Sequence, residues 1–368
     1  MITDGYTYAL SFFRADGSAA GQVAVTPDWA PALECVHFAG IREGRLPAVT
    51  VAPPATVEPL WHTQVGEPYV SGFRVAIPPN GAQPDRRDDA ALAGAMSREF
   101  PVAYFRGLAQ QASAGLVEQG TIKEAEVFHY LVCAFSTQGV APKPGVLDFA
   151  VEEVEQQLPL AESSLESYFH GAEPVGSFEA GVDVPVFIPA RVLDEATALA
   201  RAAGDVETGG VLVGRLHRDS SVPEIFIEVT ALIPAQHTQS ESTKLTFTAE
   251  TWAAVRAALA LRKRQEVMTG WFHYHPDFCR LRNCPEERRR ACTASSAFFS
   301  ADDVQLHRTI FERAYHIALL ISASTAEGLT PSLYGWRHGV VAARGFHVLH
   351  HRAEAAHSRQ LTVERHAS

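Results

Sequence analysis

The sequence predicts a two-domain protein of mixed α+β and α/β class, and three observations carry that prediction. The chain has 368 residues, more than one average domain. Strand-like apolar runs alternate with helical stretches in both halves. Between the halves lies STQGVAPKPG at 136–145, rich in Pro and Gly and free of large apolar residues other than Val140. The expected boundaries are a mixed α/β domain of no nameable fold at 1–140, a linker and acidic helix at 141–182, a second domain at 183–350 and a polar tail at 351–368.

In the first domain, YTYALSFF, GQVAVTP, VSGFRVAIP and VFHYLVCAFS have the alternation or apolar density of strands. A helical stretch at 104–119 falls between the last two, and the charged, turn-rich run at 78–89 reads as an exposed loop. The acidic stretch 147–169 places Phe149, Val151, Val154, Leu158 and Leu165 at roughly helical spacing. In the second domain, a strand near VDVPVFIPA leads to a helix at 191–203 and then to the strands GGVLVGRL and IFIEVTALIP. Next come a helix from about 249 capped by Thr248, the strand VMTGWFHYH and an irregular insertion at 276–299. A helix from Ser300, the strand HIALLIS and the strand pair SLYGWRHG and AARGFHVL complete the domain.

Composition narrows the function. Hydrophobic content of 46% with 20% charged residues excludes a disordered or fibrous chain. The longest apolar runs are shorter than a bilayer span. The N-terminus lacks the basic start and apolar core of a secretory signal, so a cytoplasmic location is expected. A net charge of −11 argues against nucleic-acid and membrane partners, which reward excess Lys and Arg. Five cysteines are too few and too odd for a disulfide scaffold, yet Cys279, Cys284 and Cys292 cluster in the insertion.

The chemistry concentrates in GWFHYHPDF and FFSADD. On a strand, His273 and His275 project to one side and can share a metal ion, and neutral imidazoles suit zinc. A helix opening at Ser300 places Asp303 one turn on, as a third ligand, and Glu207 is the acid assigned to accept a proton from water. Each piece also has a plainer reading. His-x-His can be a core pair, Ser300 and Asp303 fit a capping box, and Glu207 before Gly-Gly can mark a turn.

Taken together, Glu207, then His273-x-His275-Pro276, then Ser300-x-x-Asp303 resemble the JAMM (MPN-plus, JAB) metalloprotease family over about 185–345. The resemblance implies a cytidine-deaminase-like α/β sandwich and hydrolysis of isopeptide or peptide bonds at the C-terminus of ubiquitin-like proteins. It also implies zinc on His273, His275 and Asp303, with Glu207 as general acid/base and Ser300 supporting the water or the oxyanion. All five polar positions are present, which disfavours the inactive scaffold branch. The insertion is longer than the family's usual spacing. Its cysteines suggest a second, structural zinc, with free or buried thiols as the alternative. Its arginines, Arg280, Arg282, Arg288, Arg289 and Arg290, are either a solvated face or a steering patch for an acidic partner.

Expected partners are a ubiquitin-like protein and its conjugates, with activating and conjugating enzymes of the same pathway, bacterial by compositional habit and by analogy antiviral. The first domain would recognise such a partner. The substrate tail would add as a strand beside the segment after Glu207. Two alternatives stand: a related hydrolase processing a sulfur-carrier protein, and a non-enzymatic zinc-containing module whose Cys- and Arg-rich loop contacts nucleic acid.

Overall fold

The structure is a computed structural model that describes residues 2–62, 69–78, 94–124, 126–137, 157–235, 247–262, 264–289, 298–324 and 328–350. The chain divides into two compact units, Met1–Leu158 with His338–Val340, and Pro159–Arg337 with Val341–Ser368.

The first unit contains β1 (Ile2–Asp4), β2 (Tyr6–Arg14), β3 (Ala19–Val25), α1 (Ala30–Arg42), β4 (Ala55–His62) and β5 (Tyr69–Ile77). It continues with β6 (Met96–Pro101), α2 (Arg106–Glu118) and β7 (Phe128–Ser136). These strands form a seven-stranded sheet in the order β1-β4-β5-β7-β2-β3, with β6 on β5. Tyr8, Leu10 and Phe12 alternate into the core, as strand periodicity requires. There they meet Trp29, Phe73, Tyr104 and Phe105, and the Trp29 indole N–H donates to Asp4 Oδ2 at 2.7 Å.

Sequence periodicity missed α1, β4 and β6 for identifiable reasons. Helix α1 is buried along nearly its whole length and lacks a polar face. Strand β4 contains Pro59, and β6 buries only Met96 and Phe100. Of the loop expected at 78–89, only residue 78 is among the described residues.

The second unit runs β8 (Leu160–Glu162), α3 (Leu165–His170), β9 (Ala172–Val175), β10 (Val186–Pro189), α4 (Ala190–Ala203), β11 (Thr208–Asp219) and β12 (Glu224–Pro234). Then come α5 (Ala249–Arg262), β13 (Val267–His275), α6 (Phe278–Leu281), α7 (Glu286–Arg289), α8 (Ala301–Ile310), β14 (Ile317–Ser324), β15 (Gly328–Arg337), β16 (Val340–Arg344) and β17 (Phe346–Leu349). The sheet order is β16-β15-β14-β13-β11-β12-β10-β17-β9, with β8 on β11. Strands β11 and β13 sit in the middle and are buried almost throughout, which accounts for their continuous apolar runs. Thr248 caps α5 as expected, its Oγ1 accepting the Thr251 N–H at 3.4 Å.

The expected acidic helix at 147–169 needs correction where it is described. Leu160–Glu162 pairs in parallel with β11, and only Leu165–His170 is helical. Tertiary partners override the local pattern there. The Tyr168 hydroxyl and His217 Nε2 both bond the buried Glu228 carboxylate at 3.1 Å, and Ser163 Oγ bonds His217 Nδ1 at 2.9 Å.

Strand β13 pairs antiparallel with β11 but parallel with β14. A parallel pair needs a crossover, and α8 lies within it. The N-terminus of α8 therefore returns to the carboxyl end of β13, the edge at which open α/β sheets place ligands.

Candidate metal and catalytic site

His273 and His275 lie two residues apart at the end of β13, and their side chains share one face. In the pairing of β11 with β13, Thr208 sits opposite Tyr274 and Gly209 opposite His273. Glu207, just ahead of β11, is thereby carried to the histidines despite its distance in sequence. The exposures of His273, His275, Glu207 and Asp303 are 1%, 3%, 5% and 6%, so the whole group is withdrawn from bulk water.

Asp303 arrives through the N-terminus of α8. Ser300 Oγ accepts the Asp303 N–H at 3.1 Å, and Asp303 Oδ2 accepts the Ser300 N–H at 2.8 Å, a reciprocal capping box. Capping does not exhaust the carboxylate. Its Oδ1 stands 3.3 Å from His273 Nε2, and its Oδ2 stands 3.3 Å from His275 Nε2. Glu207 Oε2 lies 3.9 Å from His273 Nε2. Among the described residues, Glu207, His273 and His275 are the one group of three metal-type side chains whose ligand atoms all fall within 4.8 Å of one another.

Two features of this group fit a divalent metal. A tetrahedral ion with bonds of about 2.0–2.1 Å separates its ligand atoms by roughly 3.3–3.4 Å, and each imidazole Nε2 has one Asp303 oxygen at that spacing, Oδ1 for His273 and Oδ2 for His275. Both ring nitrogens of His273 are buried without a hydrogen-bond partner, an arrangement that is costly unless a ligand completes it. Burial pushes the His273 imidazole down to about 3, despite the opposing pull of Asp303, so the ring is neutral and its lone pair is available. For Asp303, burial alone would raise the carboxyl, but the His275 hydrogen bond and the two imidazoles hold it below the ordinary value. Glu207 behaves oppositely. Burial, aided by Asp303 and opposed by His275, lifts its carboxyl to about 7.

Aromatic rings wall the site. Trp271 packs on His273 at 5.3 Å between centroids, and Phe278 and Phe298 flank His275 at 5.5 and 4.9 Å. These side chains were not singled out from sequence, although the aromatic density of GWFHYHPDF and of Phe298-Phe299 was the signal available. The loop before Glu207 is tied down as well: the Tyr274 hydroxyl donates to Gly204 O at 2.8 Å, and Asp205 pairs with Arg280.

The expected strand-addition edge after Glu207 is absent. Strand β11 has β13 on one side and β12 on the other, and the Ala235 N–H bonds Gly209 O at 3.0 Å. A central strand has no vacant ladder to offer.

In the insertion, Cys279 is buried in α6 and Cys284 half-buried after it, with the Cys284 N–H donating to Cys279 O at 2.9 Å. Cys292 and Arg290 lie outside the described residues, as does the Arg288 side chain. Three of the arginines have local work: Arg280 pairs with Asp205, Arg282 lies over the Phe278 ring, and Arg289 donates to Cys284 O at 2.9 Å.

Residues 184–284 match the family described as JAB1/Mov34/MPN/PAD-1 ubiquitin protease. Through this segment the second unit is similar to the JAMM/MPN family. The solution structure of protein DSY2949 from Desulfitobacterium hafniense is similar to 46% of this chain and 97% of that one, at 20% identity and a TM-score of 0.32. No curated protein matches.

Proposed function

We propose that the second unit is a zinc-dependent isopeptidase or peptidase that cuts after the C-terminus of a ubiquitin-like protein. The observation that carries this reading is the Asp303 carboxylate standing 3.3 Å from both His273 and His275, all three buried. The substrate class is supported by the description of the matching family as a ubiquitin protease.

His273, His275 and Asp303 would hold the zinc. When bound, zinc supplies Lewis acidity that brings the pKa of a water towards neutrality and polarises a carbonyl. Glu207 is the proton carrier. Its burial, which raises the carboxyl in the metal-free protein, suits it to take a proton from the attacking water and return it to the departing Lys or α-amine. Because Ser300 Oγ already accepts the Asp303 N–H, its own proton is free to donate to the developing oxyanion. The aromatic walls lower the local dielectric, which strengthens each of these interactions.

A second, structural zinc on Cys279, Cys284 and Cys292 belongs to the same reading, as do activating and conjugating enzymes as partners in a bacterial, antiviral pathway. The test uses purified full-length protein and fusions to the tail of a ubiquitin-like protein. Wild type is expected to hold zinc and to cleave, and chelation or Glu207→Ala is expected to abolish cleavage, the variant retaining its catalytic zinc. Wild type without zinc, or Glu207→Ala cleaving at the wild-type rate, would sink the proposal. A second zinc per chain that is lost in Cys284→Ser supports the structural site, and a stoichiometry of one removes it.

A further inference from the structure

Directly behind the site, a second polar contact joins the two elements that build it. The face of β13 that carries His273 also carries Trp271, two residues earlier. The face of α8 that carries Asp303 also carries His307, four residues later. Trp271 and His307 are both fully buried, and the indole N–H donates to His307 Nδ1 at 3.1 Å. Strand and helix thus meet through two parallel rungs, His273 with Asp303 and Trp271 with His307. Their spacings agree: two strand residues rise about 6.6–6.8 Å and four helical residues about 6.0 Å.

We propose that the Trp271–His307 hydrogen bond is a positioning device. It sets the register of α8 against β13 and thereby holds the Asp303 carboxylate at equal distance from the two imidazoles. This rests on the metal-site reading of those three residues.

Packing alone does not explain a histidine at 307. Its Nδ1 accepts the indole hydrogen bond, so the neutral ring carries its hydrogen on Nε2, and that buried nitrogen has no hydrogen-bond partner. Burial, with His316 adding to it, keeps the ring neutral by lowering its pKa to about 3. The surrounding groups are Phe299, Phe311 and Trp336, against which a leucine would pack without an orphaned N–H. What a leucine lacks is direction. Apolar contacts tolerate a small slide of the helix, whereas an N–H···N bond weakens steeply once misaligned.

The test is zinc affinity, measured by competition with a chelating dye on the full-length chain, together with thermal unfolding of the metal-free forms. His307→Leu and Trp271→Phe are expected to weaken zinc binding about ten- to a hundredfold, the range seen for residues that support metal ligands indirectly. His307→Asn, whose Oδ1 can take the place of Nδ1 as acceptor, is expected to recover most of the loss, and metal-free His307→Leu is expected to unfold no earlier than wild type. Wild-type affinity in His307→Leu, or in Trp271→Phe should the first variant not fold, overturns the positioning role and leaves the metal site standing. So does His307→Asn binding no better than His307→Leu. Wild type that holds no zinc overturns both.

Discussion

Glu207 shows what a buried carboxylate costs a fold. Its side chain is buried beside His273, and that burial raises its pKa from 4.5 to about 7. The sign follows from linkage: the folded state prefers the protonated acid, so stability present below about 4.5 is lost as pH rises to about 7 and stays lost above it. A neutral isostere removes that penalty. Metal-free Glu207→Gln is therefore expected to melt above wild type at pH 8 while losing hydrolysis, and a melting point equal to or below wild type would refute the account. At this scale the sequence was most readable. The chemistry of Glu207, His273, His275, Ser300 and Asp303 is a property of their side chains, and an i, i+2 pair on a strand or an i, i+3 pair on a helix needs only local geometry.

Elements are held in place by contacts that local periodicity does not encode. Asp183, fully buried just ahead of β10, receives Arg337 of β15 on both oxygens, at 2.6 and 2.5 Å, and accepts the Glu179 N–H at 2.9 Å. Burial would raise this carboxyl, but those hydrogen bonds, with Arg344 nearby, hold it below its ordinary value of 3.8. A depressed folded pKa contributes stability that is present above that value and lost as pH falls through the folded one. Asp183→Ala is expected to destabilise by about 3–5 kcal/mol at pH 7, since it strands a cation. Urea unfolding at pH 7 and at pH 3 checks this: the gap between wild type and variant should narrow on acidification, and a constant gap rejects the assignment.

The same logic explains the elements read wrongly or not at all. The described end of the supposed acidic helix is instead a strand on β11, held there by the His217–Glu228 network. Helix α1 went unread because a helix buried along nearly all its length has no polar face for a periodic pattern to mark.

On the scale of the whole chain, each unit has its own core, and all five candidate site residues belong to the second. Phe73 is fully buried among Trp29, Phe100, Tyr104 and Phe105 of the first unit. Phe73→Ala is expected to cost about 3–5 kcal/mol by leaving a cavity. On the proposed function, its zinc content at the Glu207–His273–His275–Asp303 site should nonetheless equal that of wild type under native conditions. Metal analysis beside chemical denaturation decides the point, and loss of that zinc from folded variant would contradict it. No helix among the described residues is long and apolar enough to cross a membrane.

By itself the sequence determined which groups are present and which element each rides on, because these follow from side-chain chemistry and from periods of two and 3.6 residues. Tertiary structure decided the rest. It brought Glu207 to the histidines through the register of β11 on β13, closed β11 between two neighbours so that no edge remains, turned Arg280 onto Asp205, and set Trp271 against His307 behind the candidate site. The reason is the same in each case. Such contacts join residues distant in the chain, and their distances are set by strand order, register and the crossover through α8, which no local pattern records.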